Sequence, residues 1–341
     1  MRGTIAQNPL AKERRCPILR GLMRFGSVAL VGRTNVGKST FLNAVLGEPL
    51  AITSPLPQTT RDTLLGVAHL ADAQIAFLDT PGLHRPRHEL GRRMNAAAVD
   101  AARCADVVLL MTDTHVVTPR DSLLPPAARG TDESGVPDAD RETLNLVPAG
   151  VPVVLVINKV DKLRRKDHLL PTIGAFASLR DFAAIVPGSM LRQADVQRVL
   201  REVAAHLPEG PAGYDADTLT NRPIQFFVRE YVREQVMLQT GREVPHAVAV
   251  SVDEFADDHE LAVIKATVHV EKTGQRKIIV GNEGHQIRDI GSAARERIER
   301  LLGKRVFLEL FVRVTPRWKN IPRQLAELGY ESAPSGDPKA R

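Results

Sequence analysis

The 341-residue chain is poor in the residues that crosslink a protein or anchor it in a membrane, with two cysteines, one tryptophan and three tyrosines. Cys16 and Cys104 lie far apart and match neither a C-x-x-C motif nor a zinc-binding spacing. This excludes a disulfide scaffold and favours a reducing compartment. The longest apolar runs, such as 107–111 and 151–157, fall far short of the ~20 residues that cross a bilayer. No apolar segment typical of a secretion signal occurs near the first residue, so we expect a cytoplasmic protein.

The length and the overall composition predict a folded protein of two domains. At about 100–200 residues per domain, 341 residues correspond best to two. Hydrophobic residues make up 43% and charged residues 25%, which are ordinary values for a globular chain. A chain of this length buries a large core without crosslinks, which excludes general disorder.

The net charge of +6 is distributed unevenly along the chain. Residues 1–24 carry six basic residues and one acidic residue, and residues 265–323 carry fourteen Lys or Arg and six Asp or Glu. The remainder is therefore acidic, with a net charge of −7. A basic arm and a basic C-terminal segment are typical of a protein with a polyanionic partner, although a solvated charged face has the same composition.

Short apolar runs alternate with helical patterns from residue 25 onward, and this alternation predicts a doubly wound α/β domain. The runs 105–112 and 151–158 are almost continuously aliphatic, as in parallel strands that are covered on both faces. After a linker rich in Pro and Gly the order changes, which predicts a separate α+β module. Its predicted elements are a helix at 224–239, strands at 244–252, 262–271 and 276–280, a helix after residue 281, a strand at 306–314 and a helix at 321–328.

These patterns divide the chain into five segments and one insertion. The predicted segments are a flexible basic arm at 1–24, an α/β domain at 25–208 with a surface insertion at about 121–149, a linker at 209–222, an α+β domain at 223–330 and a tail at 331–341.

Residues 32–39 read G-R-T-N-V-G-K-S and match the phosphate-binding pattern G-x-x-x-x-G-K-[ST] between a predicted strand and a predicted helix. The glycines let backbone N–H groups close on phosphate oxygens, and the helix N-terminus adds partial positive charge. Lys38 is expected to bridge the β- and γ-phosphates, and the Ser39 hydroxyl is expected to bind Mg²⁺.

Residues 158–161 read N-K-V-D and follow a predicted buried strand, at the edge where open α/β sheets bind ligands. The Asp161 carboxylate can accept from guanine N1–H and from the exocyclic amino group, whereas adenine offers neither. Asn158 can pair with the O6/N7 edge of the base, and Lys159 can lie along the plane of the nucleotide. The motif therefore predicts a guanine nucleotide.

Two further segments are expected to respond to the γ-phosphate. Asp79 begins a D-T-P-G turn at the end of a predicted strand, where it can hold Mg²⁺ through water and where the Gly82 N–H can sense the γ-phosphate. Thr60 is expected to bind the metal once its loop orders around a triphosphate, and Thr59 is the alternative. Both segments are predicted switches that the γ-phosphate orders and hydrolysis releases. The predicted metal ligands are Ser39, Thr60 and Asp79.

The motifs G-R-T-N-V-G-K-S, Q-T-T-R, D-T-P-G-L-H and N-K-V-D resemble those of the Era family of GTPases. The resemblance covers nearly the whole chain, because K-I-I-V-G-N-E-G-H-Q-I-R-D-I-G is similar to the G-x-x-G loop of that family's KH domain. It implies an α/β P-loop GTPase domain with a doubly wound, mostly parallel sheet, followed by an α+β type II KH domain. The GTPase motifs also occur in relatives that lack a KH domain, so the pairing of the two domains is the more specific evidence for the family.

The resemblance also implies a function, namely a GTP-hydrolysing switch that uses GTP or GDP and Mg²⁺. Members of the family bind the 3′ end of 16S rRNA, rather than DNA, and assist assembly of the 30S ribosomal subunit. They also contact the inner membrane peripherally. The alternatives are an RNA or membrane-surface scaffold with vestigial GTPase activity, and a GTPase of tRNA modification or large-subunit assembly; the single GTPase domain and the KH pattern disfavour the last.

The mechanism of hydrolysis implied by the resemblance depends on a cation. Leu83 stands where Ras-like proteins carry a water-orienting glutamine. In relatives that lack this glutamine, the asparagine that matches Asn35 binds a K⁺ ion that acts like an arginine finger. We therefore expect slow intrinsic turnover that K⁺ stimulates. The predicted catalytic residues are Asn35, Lys38, Thr60 and Gly82.

The remaining predicted contacts fall into a nucleotide set and an RNA set. The nucleotide set is Gly32, Arg33, Thr34, Asn35, Val36, Gly37, Lys38, Ser39, Thr40, Asp79, Thr80, Pro81, Gly82, Leu83, Asn158, Lys159, Val160, Asp161 and Ser189. The RNA set is Arg276, Lys277, Gly281, Asn282, Glu283, Gly284 and Arg288.

Two positions depart from the family pattern. Glu283 stands in the G-x-x-G loop where the family commonly has lysine, and a carboxylate that faces phosphate should weaken RNA binding. The family's base-capping motif S-A-x-x-G is present only as S-M-L-R-Q at 189–193, where Ser189 is still expected to offer its backbone N–H.

Overall fold

The computed structural model describes residues 23–330, apart from positions 55, 57, 58, 85, 115–135, 164–166, 168 and 242. Most of the predicted basic arm, the tail, Gln58 and the first half of the predicted insertion therefore lie outside the described residues. Within the described part, no helix combines the length and the apolar character that crossing a membrane requires.

The N-terminal domain is a six-stranded sheet with helices on both faces. Its elements are β1 Arg24–Val31, α1 Lys38–Leu46, β2 Leu64–His69, β3 Ala73–Asp79, α2 Glu89–Cys104, β4 Val107–Asp113, α3 Asp138–Asn145, β5 Val153–Asn158, α4 Leu169–Ala177, β6 Ala184–Pro187 and α5 Gln193–Ala205. The order of the described strands is β2-β3-β1-β4-β5-β6, in which β2 runs antiparallel to β3 and the other neighbouring strands are parallel. The predicted doubly wound, mostly parallel sheet is confirmed.

Burial of the central strands on both faces accounts for their aliphatic sequences. Alternate residues of β1 enter two separate cores: Val28 packs in the core that contains α1 and α5, and Ala29 packs in the core that contains α2, α3 and α4. Parallel strands that are covered in this way end at one common edge, where a ligand site forms.

The C-terminal domain packs helices on one face of a three-stranded sheet. Its elements are α6 Ile224–Gln239, α7 Val244–Ala247, β7 Ala249–Asp257, β8 Leu261–Val270, α8 Thr273–Val280, α9 His285–Leu302, β9 Arg305–Val314 and α10 Pro322–Glu327. Strand β8 lies in the centre, antiparallel to β7 and parallel to β9. This order agrees with the predicted α+β type II KH domain.

The predicted strand at 276–280 is wrong, because these residues belong to helix α8. Gln275 and Ile279 are buried one helical turn apart, so the short run I-I-V is part of a helix face rather than of a strand. The Gln275 side chain also accepts the N–H groups of Glu271 and Lys272, both at 3.0 Å, and so fixes the helix N-terminus. A short apolar run fits either element, and only such contacts decide between them.

The predicted strand at 244–252 begins too early. Its first residues form the short helix α7, and the strand starts at Ala249. Pro245 lies in the first turn of α7, where its missing N–H is not needed, whereas a strand interior would lose a hydrogen bond at that position.

The described half of the predicted insertion, residues 136–149, is not a surface loop. It contains helix α3, in which Asp140, Thr143 and Leu144 are buried at the i, i+3 and i+4 positions of one stripe, and Val147 is buried just after the helix ends. Leu144 and Val147 pack in the core with Phe176 of α4. Two members of the stripe are polar, which hides the helical pattern in the sequence.

Candidate functional site

The GTPase motifs meet in one cavity of about 480 Å³ at the carboxyl edge of the parallel strands. The P-loop after β1, the residue that ends β4 and the segment after β5 all border it, as expected for a ligand site in an open α/β sheet. The lining residues are Arg33, Thr34, Asn35, Gly37, Lys38, Ser39, Thr40, Ile52, Thr53, Ser54, Thr59, Thr60, Gly82, Asp113, Lys159 and Lys162.

The P-loop lysine lies folded against its own loop. The buried Lys38 Nζ donates to the carbonyl oxygens of Gly32 at 3.0 Å and Arg33 at 2.9 Å. Burial lowers the pKa of Lys38 to about 8, although the nearby Asp79 carboxylate opposes the shift. A buried ammonium group at the mouth of a helix N-terminus is well placed to meet phosphate oxygens.

Gly37 allows the P-loop to lie against the base-binding segment. Its φ is 108°, and a Cβ atom there would lie 2.3 Å from Nδ2 of Asn158. The second glycine of the pattern is therefore required both for its backbone conformation and for the approach of Asn158.

Three oxygen-bearing side chains form the candidate metal site. The Ser39 hydroxyl donates to Asp79 Oδ2 at 2.8 Å and lies 3.0 Å from the Thr60 hydroxyl. Asp79 is fully buried, and its Oδ1 has no hydrogen-bond partner within the described part of the chain. Burial raises the pKa of Asp79 to about 6. A buried, partnerless carboxylate oxygen beside two hydroxyls fits a hard cation such as Mg²⁺.

The structure separates the two candidate threonines, Thr59 and Thr60, of the predicted switch segment that precedes β2, called the first switch below. The Thr59 hydroxyl donates to the carbonyl oxygen of Leu56 at 2.8 Å, whereas the Thr60 hydroxyl lies beside Ser39. Only Thr60 is therefore brought to the predicted metal ligands.

Asn158 holds loops together, which differs from the prediction that its amide meets the base edge. Its Oδ1 accepts the N–H groups of Lys159 at 2.7 Å and Met190 at 2.9 Å, and its Nδ2 donates to the carbonyl oxygen of Val36 at 2.7 Å. The buried amide thus ties the P-loop, the N-K-V-D segment and the loop after β6 to one another.

The Ser189 N–H, which is predicted to face the base, donates instead to Asp195 Oδ2 at 2.9 Å in the first turn of α5. The Ser189 side chain has another partner: its hydrogen bond to Asp161 lowers the pKa of that exposed carboxyl group. Asp161 is therefore ionised and faces solvent, as an acceptor for guanine requires.

Two carboxylates near the P-loop were missed by the sequence analysis. Asp113 ends β4 and pairs with both Arg33 at 3.0 Å and Lys159 at 2.8 Å. Asp140 of α3 is fully buried and pairs with Arg33 at 2.9 Å. The position of Asp113 at the end of a buried strand, like that of Asp79, is a signal that the sequence offers. Asp140 lies in a segment whose composition predicts a surface loop, so the sequence offers no comparable signal for it.

The first switch packs against the C-terminal domain. The Arg61 guanidinium is buried and donates to the carbonyl oxygens of Val248 at 2.5 Å and Pro245 at 3.2 Å. Asp62 pairs with Arg229 of α6 at 2.6 Å. The segment after Thr60 therefore connects the candidate metal site to the second domain.

The G-x-x-G turn at 281–284 joins α8 to α9 and has an unusual backbone. Gly281, Glu283 and Gly284 have φ values of 71°, 48° and 76°, and a Cβ atom on Gly281 would lie 2.9 Å from the backbone N of Gln286. The non-glycine Glu283 is strained in this conformation and exposed.

A groove of about 580 Å³ lies between α8 and the sheet, where most of its lining comes from the edge strand β9. Its lining also includes Asp253 of β7, whose carboxylate accepts from the Thr267 hydroxyl of β8 at 2.5 Å. Arg276, Phe311 and Arg313 line it, and all three are exposed. Lys277 and Arg288, the other basic residues of the predicted RNA set, are exposed outside this groove. A groove that combines guanidinium groups with an aromatic ring suits a single-stranded nucleic acid.

Comparisons with known proteins agree with this geometry. Residues 27–159 match the family described as a 50S ribosome-binding GTPase, and residues 243–319 match the KH domain family. GTPase Era of Geobacter metallireducens is 42% identical over 309 residues, which are 90% of this chain and 98% of the relative. GTPase Era of Ruminiclostridium cellulolyticum is 38% identical over 308 residues, which are 90% of this chain and 97% of the relative.

Two solved structures are similar over most of the chain. One is Era in complex with MgGDPNP and nucleotides 1506–1542 of 16S ribosomal RNA, with a TM-score of 0.80, 35% identity and coverage of 90% of this chain and 99% of that one. The other, an Aquifex aeolicus Era variant bound to GDP and AlF4⁻, has the same TM-score, identity and coverage. Together with the P-loop, the N-K-V-D segment and the KH domain, these similarities show that the chain belongs to the Era family of GTPases.

Proposed function

We propose that this protein is a GTP-hydrolysing switch that binds the 3′ end of 16S rRNA through its KH domain and assists assembly of the 30S subunit. The observation that carries the proposal is the set of oxygens at Ser39, Thr60 and Asp79 beside the P-loop, together with a buried Asp79 Oδ1 without a partner in the described structure. The similar Era structure that holds MgGDPNP and a 16S rRNA fragment supports both halves of the proposal.

In the proposed complex the P-loop N–H groups and Lys38 bind the phosphates of GTP. Ser39, Thr60 and Asp79 would hold Mg²⁺, which supplies neutralisation of phosphate charge when bound. Asp161 recognises guanine, and Gly82 lies close enough to the P-loop that a Cβ atom on it would be 2.8 Å from the Thr34 backbone N. This close approach lets the D-T-P-G turn, the second predicted switch, respond to the γ-phosphate.

We further propose that K⁺ assists hydrolysis at Asn35. Asn35 borders the cavity, its backbone is left-handed with φ 63°, and its carbonyl oxygen accepts from Lys159 Nζ at 2.6 Å. These contacts fix the backbone from which the exposed side-chain amide projects. An amide oxygen is a suitable ligand for a hard cation.

The wild-type protein is expected to hydrolyse GTP at least about tenfold faster in K⁺ than in Na⁺, because a cation there acts on transition-state charge. Asn35→Ala should abolish this difference, while Asn35→Asp, which keeps a side-chain oxygen, should retain it. Phosphate release in matched K⁺ and Na⁺ buffers measures both. A full K⁺ response in Asn35→Ala would contradict the role.

RNA binding is proposed in the groove between α8 and β9, with the G-x-x-G turn clamping the backbone. Arg276 and Arg313 supply positive charge and Phe311 supplies a stacking surface. Glu283 opposes phosphate at the exposed tip of the turn. We therefore expect an affinity below that of relatives with lysine at this position.

A short single-stranded RNA that copies the 3′ end of 16S rRNA is expected to bind more tightly with a non-hydrolysable GTP analogue than with GDP. Glu283→Lys should tighten binding about tenfold at low salt and steepen the salt slope by about 1. Glu296→Lys, the same charge change on exposed α9, is the control. If neither nucleotide state binds RNA and Glu283→Lys does not rescue binding, the RNA half of the proposal fails.

The scaffold alternative differs in a single measurable property. A scaffold with vestigial activity would release no more phosphate than a Lys38→Ala control, whereas a switch releases more.

Peripheral contact with the inner membrane and a cytoplasmic location complete the proposal; they are supported by the family resemblance alone.

A further inference from the structure

We propose that Asp140 and Asp113 are positioning residues that hold P-loop Arg33 and base-side Lys159 for nucleotide binding. This inference rests on the proposed GTP-binding function. It assigns a role to helix α3, which none of the GTPase motifs includes.

Asp140 is the fixed end of a chain of alternating charges. Its side chain has no solvent exposure, its Oδ1 accepts from Arg33 Nε at 2.9 Å, and its Oδ2 accepts from the Thr112 hydroxyl at 2.5 Å. Both carboxylate oxygens are therefore occupied, and the buried negative charge is matched by the Arg33 guanidinium. Burial raises the pKa of Asp140, while Arg33 and Thr112 oppose this shift.

Asp113 continues the chain to the other side of the cavity. Its Oδ1 accepts from Arg33 Nη2 at 3.0 Å, and its Oδ2 accepts from Lys159 Nζ at 2.8 Å. Lys159 Nζ also donates to the carbonyl oxygen of Asn35 at 2.6 Å. The chain Asp140–Arg33–Asp113–Lys159 thus begins behind the P-loop and returns to it at Asn35.

The placement of the chain points to nucleotide binding rather than to stability alone. Arg33, Asp113 and Lys159 border the cavity, and Asp140 lies behind them. The carbonyl oxygen of Arg33 accepts from Lys38 Nζ at 2.9 Å, so a movement of Arg33 also moves an acceptor of the phosphate-binding lysine. Contacts to the phosphate side and to the base side of the site therefore depend on one set of charges.

Removing the charge of Asp140 alters the rest of the chain in a defined direction. Among the described residues Arg33 then has Asp113 as its remaining carboxylate, so Arg33 and Lys159 compete more strongly for Asp113. The guanidinium, with its fixed fork of donors, competes well for both oxygens of one carboxylate. Lys159 is then held less firmly at Asn35 and along the nucleotide.

The test is the binding of GDP, together with GTP kinetics, in Asp140→Asn, which keeps the size and the Thr112 contact of the side chain. We expect about a tenfold weaker GDP affinity, faster GDP dissociation and a KM for GTP that rises more than kcat falls. Asp138→Asn, an exposed residue of the same helix, is the matched control and should bind GDP like the wild type.

A double-mutant cycle separates positioning from general destabilisation. If Asp140 acts through Arg33, adding Asp140→Asn to Arg33→Gln should weaken GDP binding by less than about twofold more. Fully additive effects, or an Asp140→Asn protein that melts earlier but binds GDP within twofold of the wild type, would overturn the inference. Should Asp140→Asn fail to fold, Asp113→Asn tests the same chain at the cavity wall. A wild-type protein that binds no GDP would instead refute the proposed function.

Discussion

Replacing Lys38 with alanine is expected to slow GTP hydrolysis about 100- to 1000-fold, the usual loss when one group that stabilises transition-state charge is removed. Lys38 is buried beside the P-loop carbonyl oxygens of Gly32 and Arg33, where its ammonium group is positioned to bind the phosphates. Phosphate release from GTP, in the presence of Mg²⁺, measures the loss. Lys304→Ala removes a lysine that pairs with Asp257 far along the chain and should leave turnover unchanged.

The lowered pKa of Lys38 predicts how the affinity for GDP depends on pH. Burial brings the pKa of Lys38 from 10.5 to about 8. Phosphate binds the protonated form, so GDP affinity is expected to be flat below pH 8 and to fall as the pH rises above it. The Kd of GDP, measured from about pH 7 to about pH 9 for the wild type and for Lys38→Ala, tests this expectation. The Lys38→Ala variant should show no loss of GDP affinity above pH 8.

The same shift has a consequence for folding. The unfolded chain keeps Lys38 protonated up to its usual pKa of 10.5, whereas the folded chain releases the proton near 8. Between these values the unfolded state binds more protons, so the stability of the nucleotide-free protein gains a contribution as the pH rises. Below pH 8 the buried Lys38 ammonium group lowers the free energy of unfolding by its full amount. A GDP affinity that stays constant through pH 8 would contradict both expectations.

The sequence was most informative where chemistry requires particular residues in consecutive positions. G-R-T-N-V-G-K-S and N-K-V-D located the cavity, because glycines and a lysine at fixed spacing have few other uses. The central strands were also predictable, since burial on both faces demands continuous aliphatic sequence. Helix α6 has the bounds that its pattern predicted.

The sequence was least informative where a polar residue is satisfied by a partner far along the chain. Asp140 meets Arg33 across 107 positions, and Asn158 meets Val36 across 122 positions. Neither pairing leaves a local pattern, so the sequence predicts a loop where α3 lies and predicts a contact between the Asn158 amide and the base. The burial of Arg61 against Val248 is hidden in the same way, because it joins two domains.

Arg233→Met is expected to lower the unfolding temperature by about 10 °C, because breaking a buried ion pair costs about 3–5 kcal/mol. Arg233 on α6 has no solvent exposure, and its guanidinium donates to the Glu230 carboxylate at 3.0 and 2.5 Å and to the carbonyl oxygen of Thr59. Burial alone would raise the pKa of Glu230, but Arg233 outweighs it and the pKa is lowered. Methionine would leave this charge buried without its main partner.

Removing both charges should restore most of the stability. Replacing a buried ion pair with apolar residues of similar volume is often neutral or stabilising, so Glu230→Met combined with Arg233→Met is expected to melt close to the wild type. Arg323→Met, which breaks the exposed pair with Glu327, should shift the unfolding temperature by less than about 3 °C. Thermal unfolding of the three variants, with GDP present, distinguishes these outcomes; a double variant as unstable as Arg233→Met would refute the ion-pair account.

The stable double variant then isolates one link between the domains. It lacks the bond from Arg233 to the Thr59 carbonyl, and Thr59 precedes the Thr60 hydroxyl that lies beside Ser39 at the candidate metal site. If that bond transmits the nucleotide state, the double variant should hydrolyse GTP but bind RNA equally well with GDP and with the GTP analogue. Retention of the full nucleotide difference would assign the transmission to Arg61 and Asp62, whose hydrogen bonds to Val248 and Arg229 involve neither Glu230 nor Arg233.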